Sequence, residues 1–146
     1  MRIGDIYNRD GLKGIVVYVD NSGIHGLIMS LDEASLNWYE SDKWCKNLGD
    51  GWFMPTVKDF ESMRDDNNLN KIQNALIREG MPLCFGDKTY NGTHKQGHMY
   101  WTRDMASHSS GYDFMWVFCL KYNGFSSMSS DYKEAKYSYV RAMHRV

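Results

Sequence analysis

Residues 51–56, Gly-Trp-Phe-Met-Pro-Thr, constrain the fold of this chain more than any other stretch. Pro55 holds Met54 in extended backbone, so the chain changes direction sharply here. Thr56 is a good helix N-cap, because its hydroxyl can accept a hydrogen bond from the free amides of a first helical turn. Asp59, three residues later, adds negative charge near the positive end of that helix. We therefore predict a buried aromatic corner, with Trp52 inside, from which a helix begins.

Two later stretches extend this observation: Tyr100-Trp101-Thr102 and Tyr139-Val140-Arg141-Ala142-Met143. With residues 51–56, they resemble three signature segments of bacterial and phage domains with the C-type lectin fold. That group includes the terminal domains of collagen-like adhesins and the variable proteins of diversity-generating retroelements. The resemblance implies an α+β fold with two helices packed against a twisted, mostly antiparallel sheet with long loops. The length of 146 residues indicates a single domain, 1–146.

The composition favours a binding protein. The chain has ten tyrosines, five tryptophans, six phenylalanines and ten methionines, so we expect some large side chains at the surface as contact anchors. A well-filled core is the alternative explanation. The net charge of −1 gives no general attraction for nucleic acid, and no apolar run approaches the length of a membrane span, so we expect neither nucleic-acid binding nor membrane insertion.

The first half of the chain shows clear local patterns. The β-branched residues at 14–20 and the run at 24–31 predict a hairpin across Asn21-Ser22-Gly23. Apolar spacing predicts helices at 41–48, at 57–64 and at 69–79, the last ended by Gly80, while residues 33–40 are either a loop or a first helical turn.

The second half reads as strands separated by loops. Residues 81–97 predict a long irregular loop, and 105–111 and 130–136 predict shorter ones. The dense apolar run at 114–121 predicts a strand at or near the centre of a sheet. The other predicted strands are 100–104, 125–129 and an edge or terminal strand at 137–145.

We predict no metal site and no cofactor. Asp65-Asp66-Asn67-Asn68 is either a solvated turn before a new helix or a carboxylate cluster, and the oxygen-ligand spacing of a calcium loop is absent. His94 and His98 lie four residues apart but lack a third ligand. Calcium-dependent lectins of the resembling fold use Glu-Pro-Asn or Gln-Pro-Asp together with Trp-Asn-Asp, and neither set occurs here.

The cysteines bear on an enzymatic alternative. Cys45, Cys84 and Cys119 form no Cys-x-x-Cys motif, and whether any two of them pair is left open. Formylglycine-generating enzymes share the resembling fold and use a cooperating cysteine pair, so an oxidoreductase of that type is the alternative function. No Gly-x-Ser-x-Gly elbow is present either. Our prediction is that the chain is not an enzyme.

The candidate binding segment is residues 103–138, which contain eight serines and four tyrosines among Asp, His, Gly and aromatic residues. This mixture is typical of antibody paratopes, because Tyr supplies contact area at low entropic cost while Ser and Gly adapt. A polar hairpin rim is the alternative. In the resembling family this segment faces the ligand, which makes the following residues candidate contacts: Arg103, Asp104, Met105, His108, Ser109, Tyr112, Asp113, Tyr122, Ser127, Ser129, Asp131, Tyr132 and Lys133.

These patterns predict a module that recognises a protein or glycan on a cell or particle surface. By resemblance it is an adhesin-like or receptor-binding domain, and the retroelement relatives raise the hypothesis that residues 103–138 are diversified. The first residues do not form a signal peptide, so we expect display through a fusion partner, a phage particle or a leader outside this sequence. The oligomeric state is left open.

Overall fold

The computed structural model describes residues 1–81, 99–119, 124–133 and 138–146. Within these ranges the chain is an α+β protein with three helices and two mostly antiparallel five-stranded sheets. The α+β class and the mostly antiparallel pairing are confirmed. The resemblance implied two helices on one sheet, whereas the structure has two sheets and the three helices that the apolar spacing predicted. The helices are α1 (Trp38–Asn47), α2 (Val57–Met63) and α3 (Asp66–Glu79). The strands are β1 (Ile6–Arg9), β2 (Leu12–Val19), β3 (Gly26–Met29), β4 (Ala34–Ser35), β5 (Trp52–Phe53), β6 (Met99–Ser109), β7 (Tyr112–Cys119), β8 (Gly124–Ser129), β9 (Ser138–Val140) and β10 (Met143–Arg145).

The first sheet has the strand order β1-β2-β3-β10-β5. Its β2–β3 pair is the predicted hairpin, with Ile15 opposite Met29 and Val16 opposite Ile28. A second hairpin joins β1 to β2 through Asp10 and Gly11, which both have positive φ. The predicted hairpin is therefore confirmed, and it forms part of a three-stranded meander, β1-β2-β3.

The helices begin and end at the residues whose side chains can cap them. Thr56 caps α2 in a reciprocal capping box: the Asp59 amide donates to Thr56 Oγ1 at 3.1 Å, and the Thr56 amide donates to Asp59 Oδ2 at 2.9 Å. Asp65 caps α3 by accepting from the Asn67 amide, so this acidic run starts a helix. Gly80 ends α3 in the left-handed conformation, with φ of 66°.

Helix α1 resolves the ambiguity at residues 33–40. Asn37 caps it and forms a capping box with Glu40, so the helix begins at Trp38 rather than near residue 41. The apolar spacing around Trp44 and Cys45 marks only its second half, and for that reason the first turn was not distinguishable from a loop. Cys45 lies buried on this face.

The second sheet has the order β4-β9-β6-β7-β8. Strand β7 pairs with β6 and β8, which confirms the near-central strand predicted at 114–121. The predicted loop at 105–111 is wrong, because β6 continues to Ser109 and turns only at Ser110 and Gly111. Residues 105–109, Met-Ala-Ser-His-Ser, show no alternation of apolar and polar residues, and cross-strand pairing with β7 supplies the order that composition did not reveal.

The single edge or terminal strand predicted at 137–145 is also wrong, because residues 138–145 contain two strands. Strand β9 lies between β4 and β6 in the second sheet, and β10 lies between β3 and β5 in the first. The chain passes from one sheet to the other at Arg141 and Ala142, both fully buried. A terminal position in the sequence does not determine which strands lie beside a segment, and here both halves are interior.

Two buried clusters fill the molecule. One joins α2 and α3 to the first sheet and to Tyr100 and Phe118, with Phe60 stacked on Phe118 at 4.9 Å between ring centroids. The other contains Cys45, Trp52 and Trp101 and packs against α1. The described helices include none with the length and apolar character needed to cross a membrane. The predictions for residues 82–98, including His94, His98 and Cys84, lie outside the described residues.

Candidate functional site

The corner at residues 51–56 is fastened to the start of the candidate segment. The Arg103 amide donates to the Pro55 carbonyl at 2.9 Å, and the Val57 amide at the start of α2 donates to Asp104 Oδ2 at 2.7 Å. Asp104, a predicted ligand contact, therefore also holds the corner in place. Trp52 is buried, as predicted, and lies edge-on to His144 of β10 at 5.3 Å.

The other two signature stretches meet at a buried ion pair. Arg141 donates from Nε and Nη2 to Glu33 Oε1 at 3.2 and 3.0 Å, and Tyr100 donates from its hydroxyl to the same oxygen at 2.6 Å. Arg141 Nη1 also donates to the carbonyls of Ser30 and Leu31. Because Arg141 and Glu33 are almost fully shielded from solvent, this network joins the sheets where the chain crosses between them.

The β6–β7–β8 surface carries most of the candidate contacts and divides them between its two sides. Side chains alternate along a strand, and residues opposite one another on paired strands point to the same side. Tyr100, Phe118 and Phe125 are aligned on the side that packs against α2 and α3. Met115 and Val117 lie on the other side, in the cluster beside α1.

The first side is buried at the end that carries Tyr100 and Phe118. We call the remaining, more exposed part of this side the aromatic face. Tyr112 and Trp116 of β7 are 53% and 38% exposed there, with half-buried Phe114 between them. Each is aligned with serines on a neighbouring strand: Tyr112 with Ser109, Phe114 with Ser129 and Trp116 with Ser127. Four predicted contacts, Ser109, Tyr112, Ser127 and Ser129, are thus brought together on one rigid three-stranded surface.

The second side, which packs beside α1, carries a different group of candidate contacts. Met105 lies opposite Met115 and is 54% exposed, and His108 Nδ1 lies 2.6 Å from Asp113 Oδ1 across the hairpin. Arg103 lies between Trp101 and Met105, where the β6–β7 register shifts, so alternation does not assign it to either side. Because the sheet separates the two faces, a small ligand on the aromatic face cannot also contact Met105.

Residues 130–133 run beside the first turn of α1. The Trp38 amide donates to the Ser130 carbonyl, and the Ser130 hydroxyl donates to Tyr39 Oη at 3.3 Å. Lys133 Nζ lies 3.5 Å from Glu40 Oε1. Asp131, Tyr132 and Lys133 are exposed, so these three predicted contacts form a patch with α1 rather than with the aromatic face.

Two exposed aromatic residues, Trp116 and Tyr39, are not among the contacts predicted from the sequence. Trp116 is in the run predicted as a dense buried strand, and only its alternation with buried Met115 and Val117 could have placed it on the open side. Tyr39 is 48% exposed, but it lies outside residues 103–138 and no local pattern connects it to Ser130. Tyr122, the remaining predicted contact, lies outside the described residues.

Two of the three cysteines, Cys45 and Cys119, lie within the described residues. Cys45 and Cys119 are both buried, and burial raises the pKa of the Cys45 thiol to about 12, so it stays protonated at neutral pH. A cysteine nucleophile requires the opposite shift. Nowhere in residues 1–81, 99–119, 124–133 or 138–146 do three His, Cys, Asp or Glu side chains form a group able to hold a metal ion.

A scan against models of protein families gave no match for this chain, and a search of curated proteins gave none either.

Proposed function

We propose that this chain is a ligand-binding module with a C-type lectin-like fold, and that it recognises a protein or glycan through the aromatic face. Support for the fold comes from the three signature stretches, which meet through Pro55 and Arg103 and through Tyr100 and Arg141. The proposed mechanism is recognition without chemistry. Aromatic anchors supply contact area, and serine hydroxyls supply adaptable hydrogen bonds.

The observation that carries the proposal is the exposure of Tyr112 and Trp116 on β7, an interior strand of the second sheet. A strand paired on both sides is rigid, so an aromatic side chain standing on it loses little conformational freedom when a partner binds. Of the ten large hydrophobic side chains exposed within the described residues, four lie in residues 103–138: Met105, Tyr112, Trp116 and Tyr132.

A binding screen tests this proposal. The chain is first screened against glycan and cell-surface protein arrays, and the partners found are then titrated with single-alanine variants. Tyr112→Ala and Trp116→Ala should each weaken binding by at least about tenfold, since buried aromatic anchors contribute about 2 kcal/mol or more. Tyr18→Ala, which removes an exposed tyrosine from β2, is the matched control. Equal losses in all three variants would refute the assignment of the aromatic face.

Melting temperatures decide whether any loss is specific. Both anchors are substantially exposed, so their removal should shift the melting temperature little. A large decrease would show that they stabilise the fold instead.

We also propose that the candidate segment is diversified by a retroelement, which rests on the resemblance alone. Its test is independent of binding. The gene should be followed by a near-repeat of the sequence encoding residues 103–138 that differs mainly at adenines, with a reverse transcriptase gene nearby. Flanking DNA with neither feature would end this part of the proposal and leave the binding module unaffected.

A further inference from the structure

The four edges of the two sheets differ in how well they are protected from pairing with another strand. Natural proteins protect sheet edges with very short strands, charged residues or proline. Strands β4 and β5 are two residues long, and β1 ends in Arg9. Strand β8, Gly-Phe-Ser-Ser-Met-Ser, is the longest of the four and contains neither a charged residue nor a proline. Among the described strands, β8 is therefore the edge most open to pairing.

The hydrogen-bond pattern shows which backbone groups of β8 point outwards. The Ser130 amide donates to the Asp113 carbonyl at 2.8 Å, in line with the β7–β8 register. Antiparallel pairs alternate between hydrogen-bonded and non-hydrogen-bonded, so Ser126 and Met128 also direct their backbone groups towards β7. Phe125, Ser127 and Ser129 consequently direct their amides away from β7, although the Ser129 carbonyl accepts from the Tyr132 amide at 2.9 Å.

We propose that β8 pairs with β8 of a second copy of this chain, antiparallel and centred on Ser127. In this register the two Ser127 residues exchange backbone hydrogen bonds across a two-fold axis, and Phe125 of each copy lies opposite Ser129 of the other. The outward-pointing groups of the strand are complementary to themselves, as a two-fold interface requires, with the Ser129 carbonyl accepting a second hydrogen bond besides that from the Tyr132 amide.

Charge favours a second copy as the occupant of this edge. In this register residue 127 lies opposite its own copy, so a charged residue at the centre of the strand would face a like charge. None of the six residues of β8 is charged. The pairing would join the two second sheets and bring both aromatic faces onto one side, with Ser127 of each copy between the two Trp116 side chains. A six-residue ladder is small compared with a standard interface, so the dimer should be reversible.

Sedimentation equilibrium over a concentration series tests the proposal on the whole chain. The unsubstituted chain should form dimers, and Ser127→Pro should raise the dimer dissociation constant at least tenfold, because proline removes the outward amide while leaving the bonds to β7 intact. Ser127→Ala is the matched control, since it removes the hydroxyl but keeps the amide, and it should dimerise normally. A chain that stays monomeric up to about 1 mM would overturn the proposal.

A second variant keeps the test decisive if Ser127→Pro does not fold. Ser127→Lys keeps the amide but places two positive charges opposite each other at the axis. Its dimer should be at least tenfold weaker at low salt and should partly recover at high salt, which a general folding defect would not reproduce. Dimerisation equal to that of the unsubstituted chain in both variants would refute the β8 register. If these two variants lose binding to a partner while the unsubstituted chain is already monomeric, β8 pairs with a different protein and the dimer proposal is overturned.

Discussion

Glu33→Ala should be one of the most destabilising single substitutions in this chain. The Glu33 side chain is 5% exposed and that of Arg141 is fully buried. Removing the carboxylate takes away the acceptor for Arg141 Nε and Nη2, leaving Nη1 with the carbonyls of Ser30 and Leu31. The guanidinium stays charged in proteins, so the variant would remove the Glu33 carboxylate from beside a buried positive charge.

The expected cost is about 3–5 kcal/mol of unfolding free energy, as found when one partner of a buried ion pair is removed. Tyr100→Phe provides a graded comparison. It removes only the hydroxyl that donates to Glu33 Oε1, a hydrogen bond to a charged group, and should cost about 1.5–3 kcal/mol. Both values come from urea unfolding followed by tryptophan fluorescence, with the slopes of the transitions compared.

Asp42→Ala is the matched surface control. Asp42 Oδ2 lies 2.8 Å from Lys46 Nζ, one helical turn later in α1, and the lysine is largely exposed. Solvent screens this pair, so its loss should cost less than about 1 kcal/mol. If Glu33→Ala lowered the unfolding free energy by no more than Asp42→Ala, burial would not determine how much an ion pair contributes to stability.

Three further predictions concern other parts of the molecule. Trp52→Ala should cost about 3–5 kcal/mol in the same assay, since Trp52 is buried between α1 and β10, whereas Trp52→Phe should recover part of this loss. Burial raises the pKa of the Cys45 thiol in the folded chain to about 12, from a usual value of about 9. Because the unfolded chain then loses this proton at a lower pH than the folded chain, the unfolding free energy should fall as pH rises between those two values. Cys45→Ala should show a smaller fall, and parallel pH profiles would contradict this. Native Cys45 should also resist thiol reagents at neutral pH until the chain unfolds, which a rapid native reaction would disprove.

The features predicted correctly from the sequence are those determined within a few residues. Thr56 and Asp59 cap α2, Gly80 ends α3, and β2 pairs with β3 across a short turn, because each depends on local backbone geometry. Helix and strand propensities and the spacing of apolar residues predict such short-range structure well.

The features that were wrong or missed depend on neighbours distant in sequence. Residues 105–109 form a strand because β7 pairs with them, and the segment at 137–145 divides between two sheets. Trp116 is exposed because β7 extends beyond the core, and Arg141 is buried because Glu33, more than a hundred residues earlier, neutralises it. A single sequence does not specify these pairings, since many registers satisfy the same hydrophobic pattern.

The crossing at Arg141 and Ala142 has a consequence for synthesis on the ribosome. Until residues 138–145 have emerged, each sheet lacks a strand from its interior, and two partners are missing: His144, which lies against Trp52, and Arg141, whose guanidinium lies over the Tyr100 ring. The nascent chain can form its helices and hairpins early, because these contacts are local. The joining of the two halves must wait for the last pairing, and until then the open sheets expose apolar surface that chaperones would recognise.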